Sequence, residues 1–248
     1  MTTATPFDRI AANYDELWTS SDSGRAQRDA VWRVIDALFQ PGDEILDLGC
    51  GTGEDAVHLG RRGIHVSAID ASSAMVEVAS ARGVAATQLS IENLSRIQAT
   101  YDGVLSDFGA LNCISDLTAV AGELARIVRP GGYVAICLLN RNCVWEMLWF
   151  GLHFRWRSAF RRLGRGGARS TLGVRVYYPS ARRVRRTFDT SFEFVNSTGI
   201  GLFVPPSYVN LSSPTVHLAG RIDAKLGSQP VLRGLGDHRL YVFRRRSP

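Results

Sequence analysis

Three glycines and two carboxylates in the first third of the chain have the spacing to hold a ligand. Gly49, Gly51 and Gly53 alternate with Cys50 and Thr52, and Asp47 stands two residues before the first of them. Glycines let the backbone take φ values that a side chain forbids, and let a ligand lie directly on the main chain. Ile45, Leu46 and Leu48 ahead of the turn suit a short central parallel strand. Ala56, Val57, Leu59 and Gly60 after it suit a helix whose N-terminus backs the ligand. The second carboxylate, Asp70, ends the apolar stretch 64–69, which reads as strand two. Ligands of doubly wound sheets lie outside the carboxyl ends of the strands, where an acid can accept hydrogen bonds from both ribose hydroxyls. Its plainer role would be to cap the helix starting near Ser72. Glu54 stands where the dinucleotide fingerprint Gly-x-Gly-x-x-Gly needs its third glycine, which speaks against a dinucleotide oxidoreductase.

Residues 46–53, Leu-Asp-Leu-Gly-Cys-Gly-Thr-Gly, resemble motif I of the class I S-adenosylmethionine-dependent methyltransferases. Four more landmarks of that family follow in order: Asp70, the segment 89–94, Tyr101-Asp-Gly-Val104, and Val128-Arg-Pro-Gly-Gly-Tyr133. The resemblance is to the small-molecule branch (type 11/25-like) and covers residues 44–138. It implies an α/β fold: a Rossmann-like seven-stranded sheet with helices on both faces and the last strand antiparallel. It also implies S-adenosyl-L-methionine as cofactor. The residues it assigns to that cofactor are Gly49, Cys50, Gly51 and Gly53 in the turn, Asp70 with Ala71 at the ribose, and Asp107 beside the turn. Met75 would pack on adenine, although Met is also ordinary core. The backbone of Ile91 would meet the adenine edge. Ser90 stands where the family has an adenine-binding Asp, so Ser90 or Glu92 must take that contact. Tyr14, in Asn13-Tyr-Asp15, would close over the methionine end, or simply pack.

These residues need elements to position them. The chain of 248 residues reads as one methyltransferase domain. Residues 1–42 form a helical cap of two helices, the first carrying Phe7, Ile10, Tyr14 and Leu17 at helical spacing. Residues 43–139 form the cofactor-binding core, 140–190 a basic, aromatic helical insert after strand five, and 191–248 the last strands with an acceptor-side loop. Strands are expected at 191–195 and 238–243. The acceptor site is expected to be shaped mainly by residues 142–210.

Composition is that of a globular protein, with 45% hydrophobic and 21% charged residues. No signal peptide is visible at the N-terminus. The apolar stretch Cys143 to Phe154 is broken by Glu146 and too short to span a bilayer. Cys50, Cys113, Cys137 and Cys143 lack ligand spacing, so reduced thiols in a cytoplasmic protein, and no metal site, are expected. Residues 151–190 hold eleven arginines against Asp189 alone, a window charge of +10 in a chain of net charge +6. Trp145, Leu148, Trp149, Leu152 and Trp156 recur at spacings of three and four, with Arg155, Arg161, Arg162 and Arg165 among or beyond them. This predicts a lid over the acceptor pocket that rests on an anionic membrane, or a helix packed on the sheet with solvated arginines.

No catalytic residue is legible, because an activated methyl donor needs mainly alignment and exclusion of water. His153, His217, His238, Tyr177 and Tyr178 are candidates by chemistry alone. The signature Asn/Asp-Pro-Pro-Tyr/Phe for planar nitrogens is absent; Asp107-Phe-Gly-Ala110 occupies its place, and Val204-Pro-Pro-Ser-Tyr208 lies far downstream. The resemblance therefore implies a methyltransferase acting at O or N of a hydrophobic small molecule. The alternatives are an RNA methyltransferase clamping phosphates with the arginine window, and an S-adenosylmethionine-binding protein without transferase activity.

Overall fold

A computed structural model describes residues 5–164, 166–209 and 211–247. Three single helical turns, Pro6–Arg9, Ala11–Asn13 and Asp15–Thr19, lead into α1 (Asp22–Leu38). Then follow β1 (Glu44–Leu48), α2 (Glu54–Arg61), β2 (His65–Asp70), α3 (Ser73–Ala81), β3 (Ala85–Gln88), β4 (Tyr101–Ser106), α4 (Thr118–Ile127) and β5 (Val128–Leu139). The insert contains α5 (Val144–Leu152), α6 (Trp156–Ala159) and a small hairpin, β6 (Ala168–Arg169) and β7 (Arg175–Val176). The chain closes with α7 (Ala181–Phe188), β8 (Phe192–Ile200), α8 (Ser213–Leu226) and β9 (His238–Arg245).

The seven-stranded sheet has the order β3-β2-β1-β4-β5-β9-β8. Strands β1 to β5 pair in parallel, and β9 runs antiparallel to both neighbours. Both faces are covered, which is why the central strands read as apolar runs rather than alternations. Leu46 and Leu48 of β1 face a core shared with α4 and α7 through Leu124, Ile127, Val184 and Phe188. Ile45 faces the opposite core with Val31, Ile35 and Phe39 at α1 and Leu59 of α2. Side-chain alternation therefore puts Asp47 on the α1 side as well.

The sequence expectation fails at the N-terminus. Phe7 to Trp18 is not one helix, and Leu17 is half exposed. The carboxylates of this segment are held elsewhere. Asp8 accepts hydrogen bonds from Ser72 Oγ (2.6 Å) and Ala74 N (3.2 Å), and Asp15 accepts from Thr52 Oγ1 (2.7 Å) and pairs with Arg82. Four tethers to α3 and the glycine turn override local helical preference.

The insert also departs from expectation. Its tryptophan stripe is split, because Phe154 takes a left-handed φ of 56° and Trp156 starts α6. Arg161 and Arg162 point inward, while Arg165 lies outside the described residues. Strand β8 runs on to Ile200, five residues beyond the expected Val195, because β9 pairs with it up to His238.

Candidate cofactor and acceptor site

The glycine turn leaves β1 with left-handed φ at Gly49 (72°), Gly51 (53°) and Gly53 (81°). A Cβ on Gly49 would stand 2.3 Å from the Ala110 Cβ, whereas one on Gly51 would meet nothing within 4 Å. The first glycine thus serves packing, and the second opens onto free space. Asp70 braces the turn from the next strand: its Oδ2 accepts from Gly51 N (2.9 Å) and its Oδ1 from Ser72 N (2.8 Å). Capping of α3 falls to Ser72, whose Oγ accepts from Met75 N (3.1 Å). Asp70 is therefore not a helix cap.

A cavity of about 220 Å³ opens over this turn. Tyr14, Gly49, Cys50, Gly51, Asp70, Ala71, Met75, Ile91, Glu92 and Asp107 all line it. Gly53 does not; it is the N-cap residue of α2, behind the lining. Ser90 is also absent from the lining, and its Oγ accepts from Asn93 Nδ2 (2.8 Å). Phe7, Arg28, Asp55 and Phe108 also line it, and of these the roles of Phe7, Arg28 and Asp55 were not legible in the sequence. Arg28 lies in a helix whose apolar stripe hides it, and Asp55 reads as an ordinary first-turn acid.

Electrostatics single out the floor of this cavity. Arg28 pairs with Asp55, which also accepts from Trp32 Nε1 (2.7 Å). Asp47 and Asp107 each keep one buried carboxylate oxygen without a partner. Burial, reinforced by Asp55, pushes Asp107 up to about 8. Burial, with Asp55 and Asp107 beside it, also raises Asp47 well above the carboxylate range. Three acids thus share one guanidinium, an arrangement that a cationic ligand would relieve.

A second cavity of about 330 Å³ shares Phe7, Tyr14, Arg28, Phe108, Gly109 and Cys113 with the first. Leu172, Val174 and Val176 of the small hairpin, Pro206, Tyr208, Leu139 and Trp18 give it an apolar wall. The expectation that 142–210 would shape this side needs correction. Residues 7–28, 108–113 and 237–238 contribute too, because the N-terminal turns fold across the sheet edge.

Of the five catalytic candidates, His238 lines this cavity. His153 and His217 are exposed, and Tyr177 and Tyr178 line a separate cleft. His238 is 8% exposed, with Nδ1 3.4 Å from Asp237 Oδ2 and its ring edge-on to Phe108. Burial lowers its pKa below the ordinary histidine value, outweighing the opposite pull of Asp237. The ring is therefore neutral at pH 7 and able to take a proton. Asp237 is held in turn by Arg162, which also pairs with the buried Glu146.

Residues 45–132 match the family described as "Methyltransferase domain". A demethylmenaquinone methyltransferase of Corynebacterium urealyticum is 35% identical over 136 residues, 54% of this chain and 57% of the relative. A malonyl-[acyl-carrier protein] O-methyltransferase of Serratia marcescens is 33% identical over 147 residues, 58% and 55% respectively. Over residues 45–132 the chain is similar to the class I S-adenosylmethionine-dependent methyltransferases.

The matched part of this chain spans little more than half the length of those curated relatives. The fold extends further: the CcbJ methyltransferase of Streptomyces caelestis superposes with a TM-score of 0.63 at 16% identity, over 98% of this chain and 99% of that one. S-adenosylmethionine is the family's cofactor, and the residues present fit it. Its sulfonium and ammonium are cations, matching the excess of acids at the cavity, where Asp107, Asp55 and Asp70 line the wall beside Arg28. The space above Gly51 that a Cβ would fill admits a ligand against the main chain.

Proposed function

We propose that this methyltransferase moves a methyl group from S-adenosylmethionine to an oxygen or nitrogen of a hydrophobic small molecule held in the larger cavity. The observation that carries this is the shared wall: the cavity over the glycine turn and the larger cavity beside it meet at Phe7, Tyr14, Arg28, Phe108, Gly109 and Cys113. The cofactor supplies a methyl group already activated on a sulfonium. The protein must then bind, align and exclude water. In this reading Gly49, Cys50 and Gly51 hold the cofactor on the main chain. Asp70 and Ala71 take the ribose, Met75, Ile91 and Glu92 take the adenine, and Asp107 and Tyr14 lie at the methionine end. His238, beside Asp237, takes the proton of an acceptor hydroxyl or ammonium.

The whole chain is read as a single methyltransferase domain with cap, core, insert and closing strands at 1–42, 43–139, 140–190 and 191–248. Four free thiols fit a reducing, cytoplasmic setting. An RNA acceptor has less support, since Arg161 and Arg162 of the basic window are committed to Glu146 and Asp237. The names of the relatives suggest which acceptors to try first.

The test joins two measurements. Calorimetry with S-adenosylhomocysteine should show binding that NAD does not compete. Methyl-labelled S-adenosylmethionine should then label at least one member of a panel of phenols, hydroquinones, carboxylic acids and amines. Absence of S-adenosylhomocysteine binding would reject the cofactor site. Tight binding with no labelled product, but with transfer to RNA, would reject the small-molecule acceptor.

A further inference from the structure

The insert carries an apolar surface that the site does not use. Its base is anchored: Glu146 is 1% exposed beneath Arg161 and Arg162, and Cys143 is buried. Beyond that anchor the large side chains turn outward. Leu148, Leu152, Phe154, Trp156 and Phe160 are between 48% and 82% exposed, all within residues 148–160. Phe154, the most exposed of them, sits in the left-handed region, which is costly for a bulky residue. That conformation breaks the helix and leaves its ring standing off the surface. Exposed apolar groups concentrated in one short segment mark an interaction surface.

Charge identifies the occupant. From Met147 through Phe188 the sequence contains no Asp or Glu. Arg155 and Arg157 are exposed among the aromatic residues, and the Arg155 guanidinium lies 5.0 Å over the Phe150 ring. A second copy of this chain would set arginine against arginine. Nucleic acid would satisfy the arginines but leave Leu148 and Leu152 in water. An anionic bilayer satisfies both, because apolar tips enter the headgroup boundary while the cations meet lipid phosphates.

We infer that residues 148–160 seat the protein on an anionic lipid surface. No helix among the described residues is long and apolar enough to cross a membrane, so the contact is peripheral. The seat adjoins the larger cavity: the Phe150 ring lies 5.6 Å from that of Tyr208, which lines the cavity and is 40% exposed. On the reading of that cavity as the acceptor site, the acceptor is a membrane-dissolved molecule that enters past Tyr208.

Flotation of the whole protein with vesicles tests the inference. Vesicles of phosphatidylcholine with phosphatidylglycerol should carry the protein upward at low salt, and vesicles of phosphatidylcholine alone should not. High salt should release it. Arg155→Glu with Arg157→Glu should lower the partition coefficient by at least about thirtyfold, from the usual contribution of each juxtamembrane arginine. Phe154→Ser with Trp156→Ser should also abolish flotation. All four side chains are exposed, so melting temperature and S-adenosylhomocysteine affinity should stay at wild-type values. Those controls separate failure of the membrane seat from failure of the cofactor site. Wild-type protein that stays at the bottom with anionic vesicles at low salt would overturn the inference. So would self-association, or retention on single-stranded RNA, that the same variants abolish while flotation persists.

Discussion

Replacing Arg162 by Met should destabilise the protein by about 3–4 kcal/mol, the lower part of the range for removing one partner of a buried ion pair. Arg162 is 5% exposed, between Glu146 at 1% and Asp237 at 5%. It donates to Glu146 Oε2 (2.8 Å), to Asp237 Oδ1 (2.7 Å) and to the carbonyl oxygens of Asn140 (3.1 Å) and Asp237 (3.0 Å). Met fills a similar volume but donates nothing. Glu146 keeps Arg161 at 2.6 and 3.1 Å, so the loss falls mainly on Asp237, left with His238 and the weak Cys143 thiol.

An unfolding entropy of about 2.1 cal/mol/K per residue gives about 0.5 kcal/mol/K for a chain of this length, so the melting temperature should fall by roughly 6–8 °C. The deficit should depend on pH. Burial opposes ionisation of Asp237, yet His238 and Arg162 outweigh it and hold the carboxyl below its ordinary range. In the wild type its contribution is therefore complete above about pH 4 and lost only as pH falls through the depressed value. Without Arg162 one of the charges that lowers it is gone, so the folded value rises. The variant's deficit should then shrink as pH falls from neutral into the carboxylate range. Differential scanning calorimetry across that range is the assay. A shift under about 2 °C, or one that does not change with pH, would refute the argument.

Gly49→Ala and Gly51→Ala should part company. The first combines a left-handed φ with a 2.3 Å clash and should cost about 2–5 kcal/mol of stability. The second meets no neighbour, should cost about 1–2 kcal/mol, and should weaken S-adenosylhomocysteine binding; normal affinity would mean the space above Gly51 is not the cradle. Asp70→Ala should weaken the same ligand by about 1.5–3 kcal/mol, and unchanged calorimetric affinity in a folded variant would reject its ribose role. With any acceptor that is labelled, His238→Gln should lower kcat by about 10²–10⁴ while leaving S-adenosylhomocysteine affinity intact. Because its pKa is depressed, the wild-type acid limb should lie below about pH 6.5 and vanish in that variant; an unchanged limb would assign the proton transfer elsewhere.

Much of the cofactor half was legible because its determinants are local. Alternating glycines demand a turn of particular φ, and Asp70 falls at a strand end by counting alone. Strands buried on both faces read as apolar runs, so β1, β4 and the core of β5 stand out from neighbours of any fold. Locality fails at the N-terminus, where the helical period of Phe7, Ile10, Tyr14 and Leu17 loses to hydrogen bonds that Asp8 and Asp15 make with residues 37 to 66 positions away. It fails again for the two-residue strands of the small hairpin, too short to leave a period.

The charged groups around the two cavities were brought together by tertiary structure. Arg28, Asp55 and Asp107 share one cavity floor, and Glu146, Arg162 and Asp237 one buried network, though each set is spread over most of a hundred residues of chain. The density of arginine in the insert was plain from composition, but its direction was not. Arg162 turns inward because Glu146 and Asp237 wait there, and Arg155 outward because nothing acidic does. A charge's sign is a property of the residue. Whether it stabilises the interior or faces a partner depends on which opposite charges the fold brings within a few ångströms, since screening by water removes the rest.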